Sequence, residues 1–323
     1  MQILEAVESI SRQRSIETVE LALLQTLGDN FSEITEAELL TYELDQWWIS
    51  ISWAEGRLQN SKALQPASDI HKRLADAAMA NTEAHDQDFQ AFKLEHQEPA
   101  QVLILRAINL DEAGQRALAS VIKIVENFSQ LLREKNCDRL TGLLNRHQLE
   151  ESILHALSVA QESEQHNAQR RHARHPDWLA ILDIDHFKQV NDIFGQLFGD
   201  EVLLRVSQLM VDCFRREDKL FRYGGEEFVL ILMDLPQHEA EIVLERFRER
   251  MATNIFPQLG HITLSIGFTR IAAQGSDSAV LGEADRALYW AKQHGRNRCI
   301  NYAALVEQGQ LDAHATNGSI DLF

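Results

Sequence analysis

The chain has 323 residues, 45% hydrophobic and 25% charged, a composition that fits two globular domains and excludes a disordered or fibrous protein. A formal charge of −18 lacks the basic footprint that nucleic acid demands, and no apolar run approaches the roughly 20 residues of a membrane span, so no membrane insertion is expected. Cys137, Cys213 and Cys299 have no metal-ligand spacing, and the early acid at the N-terminus does not fit a secretory signal, so a reducing cytoplasm is expected.

In chain order, Leu4, Val7, Ile10, Val19, Leu23, Leu24 and Leu27 recur at mostly helical spacings and predict an opening helix. Strands follow over 38–44 and 47–53. In the second, alternation puts Trp47, Ile49, Ile51 and Trp53 on one face. A helix over 67–80 and a strand over 101–107 complete a domain of residues 1–112. Its layout resembles a small sensory module of the GAF or PAS type, with an unknown ligand or protein partner. The tryptophans read as core filling rather than pocket lining.

Over 113–137, Leu118, Val121, Val125, Phe128 and Leu132 follow 3-4-3-4 spacing, with no Gly or Pro from Gln115 to Asp138. That is the seam of a two-stranded coiled coil, and a helix lying on its own domain shows the same stripe. A signalling helix paired in parallel with that of a second copy is the favoured reading, giving a homodimer.

The following half carries the chemistry. Leu179-Ala180-Ile181-Leu182 is a buried strand ending in Asp183-Ile184-Asp185, with both carboxylates on one face and the Ile184 carbonyl between them. Arg222 to Leu230 reads as a hairpin with Gly224 and Gly225 at its tip, where bare backbone lets phosphates approach, and with Glu226 and Glu227 directly after. If the hairpin lies beside the strand, Asp183 and Glu226 converge. Hard cations such as Mg²⁺ take carboxylates plus substrate phosphates, so this is a layout for two-metal phosphoryl transfer.

Five motifs in order resemble the GGDEF family of diguanylate cyclases, in a Gly-Gly-Glu-Glu-Phe variant. They are Asp138-Arg139-Leu140-Thr141-Gly142-Leu143-Leu144-Asn145-Arg146, the Asp183 to Asp200 block, the hairpin, Thr263 to Gly267, and Ala284 to Lys292 closing with Gly295-Arg296-Asn297. The resemblance covers residues 138–303 and leaves 304–323 as a mobile tail. It implies a palm-like domain of the α/β (α+β) class with a mostly antiparallel sheet. Strands are expected near 178–184, 219–223, 227–233, 262–269 and 298–302, with helices near 146–160, 199–216, 236–254 and 278–294.

The resemblance also implies that two GTP molecules condense into cyclic di-GMP and two pyrophosphates across a dimer, with two Mg²⁺ per site, or Mn²⁺ in their place. Asp183, the Ile184 carbonyl and Glu226 match metal positions; Glu226, Glu227 and Lys188 match catalytic ones. Phe187, Asn191, Asp200, Gly224, Gly225, Lys292 and Arg296 match substrate positions, Asn191 and Asp200 reading guanine and the cations meeting phosphate. Arg215 and Asp218, with Arg246 as a secondary contact, resemble the inhibitory site for the product. Gln196 stands where many members have histidine, and a modest effect is expected. A degenerate domain that only binds nucleotide is the alternative, against which both hairpin carboxylates speak.

Overall fold

A computed structural model describes residues 8–311 apart from 14, 44, 82–84, 87, 96–98, 108–109, 167–173 and 273–275. Leu4 and Val7 of the expected first helix, and the tail beyond 311, lie outside the described residues. Two units divide the chain, Met1–Lys135 and Asn136–Phe323. Among the described residues no helix is long and apolar enough to cross a membrane.

In the first unit, helix α1 (Ile16–Asn30) starts at a Ser15 cap whose side chain accepts from the Thr18 N–H. Strands β1 (Ile34–Glu43), β2 (Gln46–Ala54) and β3 (Arg57–Pro66) precede helix α2 (Asp69–Met79). Strands β4 (His85–Asp86), β5 (Phe89–Leu94) and β6 (Gln101–Ala107) lead into helix α3 (Glu112–Asn136). The strands form one six-stranded sheet in the order β3-β2-β1-β6-β5-β4, antiparallel throughout. Leu39, Ile51, Trp53, Leu103 and Leu105 face α1 and α3, while Leu40, Trp47, Val102 and Ile104 face α2. Strands β3, β4 and β5 have no counterpart in the sequence reading. The run Arg57-Leu58-Gln59-Asn60-Ser61-Lys62 is too polar to show an apolar alternation.

One expectation is corrected here. Trp47, Ile49, Ile51 and Trp53 do not share a face, because β2 contains a bulge. Leu39 pairs with Ile51 and Leu40 with Ile49, so Ser50 is the extra residue and the alternation inverts across it. The buried Ser50 hydroxyl donates to the Leu39 carbonyl at 2.9 Å and so has its own partner inside the sheet. Trp47 and Trp53 are both buried, in agreement with a core role, but in two different cores.

Leu118, Val121, Val125 and Leu132 of α3 are buried within this unit's own core, with Phe128 packed against it. The 3-4 stripe is thus the face a helix turns to its own sheet, the second of the two readings of that spacing. Val121→Asp should therefore unfold the first unit, since an unpaired buried carboxylate costs several kcal/mol. A variant that keeps a cooperative melt and loses only self-association would reverse the assignment.

The second unit begins with a turn at Asp138, then helix α4 (Arg146–His166), β7 (Trp178–Ile184), α5 (Phe187–Phe194) and α6 (Gln196–Cys213). Strands β8 (Lys219–Gly224) and β9 (Glu227–Leu232) form the hairpin. Then come α7 (Gln237–Thr253), the short pair β10 (Ile255–Phe256) and β11 (Gly260–His261), β12 (Leu264–Arg270), α8 (Asp277–Gln293), β13 (Cys299–Asn301) and α9 (Tyr302–Glu307). The main sheet has the order β13-β12-β7-β9-β8, antiparallel except for β12 and β13.

Every residue of β7 is buried, because both faces of the sheet are covered. Ala180, Leu182, Phe228 and Leu230 meet α6 and α7 on one side. Leu179, Ile181, Val229 and Ile231 meet α4 and α8 on the other. All five expected strands and four expected helices are present, with ends shifted by a few residues. Residues 304–307, expected in the tail, belong instead to α9, whose Leu305 is buried against α8.

Candidate active site

The central strand β7 fixes the site. Asp183, near its C-terminal end, pairs across the sheet with Glu227 on β9, and the Ile184 N–H donates to the Glu226 carbonyl at 3.4 Å. The hairpin and strand are therefore neighbours, and Asp183, Ile184, Glu226 and Glu227 meet at one sheet edge.

The turn differs from the sequence reading by one residue. Gly224 pairs with Glu227, leaving Gly225 and Glu226 as the two turn residues, with φ +49° at Gly225. A bulge between Arg222 and Gly224 absorbs the offset. Glu226 thus sits at the turn, half-buried, while Glu227 is a buried strand residue.

Arg222 holds this turn. Its Nε and Nη2 donate to the Gly225 carbonyl at 3.3 and 3.1 Å, and its Nη1 to Asp138 Oδ1 at 2.9 Å. The same Asp138 oxygen accepts from the Thr141 N–H and hydroxyl, each at 2.8 Å. Burial pushes the Asp138 carboxyl up, but the guanidinium and the two Thr141 donors outweigh it and hold it below the usual carboxylate range. The sequence contained both residues inside recognisable motifs, yet nothing in their spacing announces the ion pair.

Charge is concentrated at this edge. Lys292, on α8, places its Nζ 2.8 Å from Asp183 Oδ2. Two helical turns earlier on the same helix, Asp285 also feels Lys292, although burial leaves its carboxyl above the ordinary range. Burial pushes Asp183 up to about 6; Lys292 pulls it back, and Glu226 and Asp185 raise it further. Burial, then Asp183, pushes Glu227 up to about 7.

The hard oxygen donors fit a divalent cation such as Mg²⁺, since the carboxylates outnumber the one ammonium group beside them. Among the described residues no three His, Cys, Asp or Glu side chains converge as a metal cage. The expected set contains only two, Asp183 and Glu226, plus the Ile184 carbonyl.

The nucleotide positions lie on α5 and α6. A Cβ on Gly199 would stand 2.0 Å from Asn191 Oδ1, so the absent side chain is what lets Asn191 lie against α6 beside Asp200. Gln196 is exposed in the first turn of α6. The Phe187 ring is in the hydrophobic core. What Phe187 and the exposed Lys188 offer from the backbone is the first amides of α5, whose His186 cap (φ +60°) makes no side-chain hydrogen bond. Gly224, Gly225 and Arg296 are exposed.

The other expected cluster has a different character. Asp218 is buried, and its two oxygens accept from the backbone N–H groups of Arg215 (2.9 Å) and Met233 (3.2 Å). Burial still leaves it above its ordinary range. Arg246, from α7, donates to the Cys213 carbonyl at 2.7 Å, so it flanks the helix end that carries the exposed Arg215.

Fold and site together define a palm-like α/β domain with an acidic sheet edge. The family profile described as diguanylate cyclase, GGDEF domain, matches residues 135–298, about half of the chain, and the chain belongs to that family. It is 35% identical over 175 residues to diguanylate cyclase DgcM of Escherichia coli K12, covering 53% of this chain and 39% of that protein. With diguanylate cyclase DgcZ of the same organism it shares 36% over 194 residues, 58% of this chain and 62% of the relative. The chain thus spans less than two thirds of either relative. The coiled coil and GGDEF domain of DgcB from Caulobacter crescentus, crystallised with c-di-GMP, matches with a TM-score of 0.51 at 29% identity. That match covers 58% of this chain and 96% of the other.

The raised carboxyls give a pH prediction. Folded, Asp183 and Glu227 keep protons up to about 6 and about 7. Unfolded, they release them near about 4. Between those values the native state binds more protons, so the stability of metal-free protein falls as pH rises through the window. In chelator, the thermal midpoint should drop between about pH 4 and 7 more steeply for the parent than for Glu227→Gln, and Mg²⁺ should restore the parent mainly at the upper end. Identical slopes for parent and variant would refute this reading of the site.

Proposed function

We propose that the protein is a diguanylate cyclase that condenses two GTP molecules into cyclic di-GMP with release of two pyrophosphates. The observation that carries this is Asp183 opposite Glu227, with Ile184 hydrogen-bonded to Glu226, in a chain of the GGDEF family. Each 3′-hydroxyl attacks the α-phosphate of the nucleotide on the facing subunit, and pyrophosphate leaves. The productive species is thus a homodimer with one GTP per subunit.

In this reading Asp183, the Ile184 carbonyl and Glu226 hold two Mg²⁺, or Mn²⁺ in their place. The ions supply charge neutralisation at the phosphates and lower the pKa of the attacking hydroxyl. Glu226 helps take the hydroxyl proton, with Glu227 beside it. Lys188, Lys292 and Arg296 meet phosphate, and the uncapped start of α5 adds backbone donors. Asn191 and Asp200 read guanine, the carboxylate accepting from its ring N–H and exocyclic amine. GTP is preferred over ATP for that reason. The overall charge of −18 makes these local cations necessary for binding an anionic substrate.

Asp183→Asn or Glu226→Gln should lower cyclic di-GMP synthesis by several powers of ten while keeping the fold, because each change is nearly isosteric and removes one metal-held charge. Full turnover of GTP with Mg²⁺ by either variant would exclude the mechanism. Retained nucleotide binding in a parent that makes no product would favour the degenerate-domain alternative.

Regulation has two parts. The first unit acts as the sensor, of GAF or PAS type, for a ligand or protein partner, in a cytoplasmic enzyme. The product restrains the enzyme through Arg215, Asp218 and Arg246. Support for this is the exposure of both arginines around one helix end and the position of Asp218 at the start of β8, far along the strand from the turn. Arg215→Ala should relieve inhibition by added cyclic di-GMP without altering the initial rate. Equal inhibition of parent and variant in progress curves would remove the inhibitory site.

A further inference from the structure

Asp185 is not among the expected metal, catalytic or substrate residues, yet it is 5% exposed and accepts three hydrogen bonds. Its Oδ1 accepts from the Ser265 hydroxyl at 2.7 Å. Its Oδ2 accepts from the Thr263 hydroxyl at 2.6 Å and from the Asn297 backbone N–H at 3.1 Å. The Asp185 N–H donates in turn to the Thr263 carbonyl at 2.9 Å. The side chain therefore joins three pieces of chain: the end of β7, the approach to β12, and the turn after α8.

That turn is unusual. Gly295, Arg296 and Asn297 have φ values of +105°, +57° and +46° in succession. Glycine takes such values freely, but arginine in this region is uncommon and persists only where its surroundings enforce it. The enforcing contacts can be named. The Arg296 N–H donates to the Ala291 carbonyl at 3.0 Å, on the α8 side. On the other side are the Asp185 contact to the Asn297 N–H and a bond from Arg248 Nη1 to Asn297 Oδ1 at 2.7 Å. Arg248 is itself oriented by Glu245, which accepts from its Nε at 2.8 Å. Between the two sets of contacts the Arg296 side chain is exposed.

We propose that Asp185 is a positioning residue: it locks the Gly295–Asn297 turn in its left-handed conformation and so aims Arg296 at the phosphates of a nucleotide bound beside Asp183. The proposal rests on the cyclase reading, which supplies the nucleotide. Its physical basis is that a buried carboxylate makes charge-assisted hydrogen bonds, about twice as strong as neutral ones, on three donors that would otherwise be unsatisfied. Asp185 touches neither substrate nor metal in this scheme. It acts through Arg296, with Arg248 as the second anchor.

The test is a double-mutant cycle on the full chain, read as affinity for an α,β-methylene analogue of GTP in the presence of Mg²⁺. Asp185→Asn replaces the charge with an amide of the same shape, and should weaken binding on the order of tenfold. Arg296→Ala should weaken it as well, and the double variant should bind no more weakly than Arg296→Ala alone. A purely architectural role would instead leave the two losses multiplicative, and that result overturns the proposal, as does parent-like affinity in Asp185→Asn. If Asp185→Asn lacks a cooperative melt, Arg248→Gln serves in its place. It must weaken binding and must not add to Arg296→Ala, and multiplicative losses there reject the shared turn. The parent's own affinity separates the two levels: a folded parent that binds no analogue refutes the cyclase reading and the proposal together. A binding parent with additive variants refutes the proposal alone.

Discussion

Antiparallel pairing of β7 with β9 sets Asp183 directly opposite Glu227, in a region closed off from water by helices on both faces of the sheet. Like charges facing one another across a sheet are destabilising, and burial makes the effect larger. Most of the second unit can be understood as what holds that arrangement together. Two hydrophobic layers clamp the sheet, Lys292 is brought onto Asp183 by α8, and Arg222 grips the turn from the side. The site is thus a place where hydrophobic burial maintains an unfavourable electrostatic arrangement, offset in part by Lys292.

The strands and helices of this unit were legible through the resemblance carried by its five motifs, and β7 and β9 also as short apolar runs, every residue of which is buried. What was not legible were contacts between residues distant in sequence. Asp138 and Arg222 are eighty-four positions apart and Asp185 and Asn297 one hundred and twelve, and no local pattern encodes either bond. The turn was misplaced by one residue because two adjacent glycines look equally able to adopt positive φ. Only the strand register decides between them. Position in a motif likewise did not reveal that the Phe187 ring belongs to the core.

In the first unit the difficulty was of another kind. The bulge at Ser50 inverts the face of β2 partway along, and a period-two reading has no means of detecting an inserted residue. The stripe on α3 shows the same limit for helices. Spacing identifies an apolar face but not what covers it, and here the unit's own sheet covers Val121 and Val125.

The two-residue turn of the β8–β9 hairpin has a consequence for how such a domain can diverge. Surface turns ordinarily absorb insertions and deletions. Here the side chains of β9 alternate between two packed layers, and all six of its residues are buried, so one residue gained or lost at the turn would exchange the two faces of the strand. It would also carry Glu226 away from Ile184 and the Gly225 carbonyl away from Arg222. A change in the turn's residue count would therefore disrupt this domain far more than a change of residue type within it.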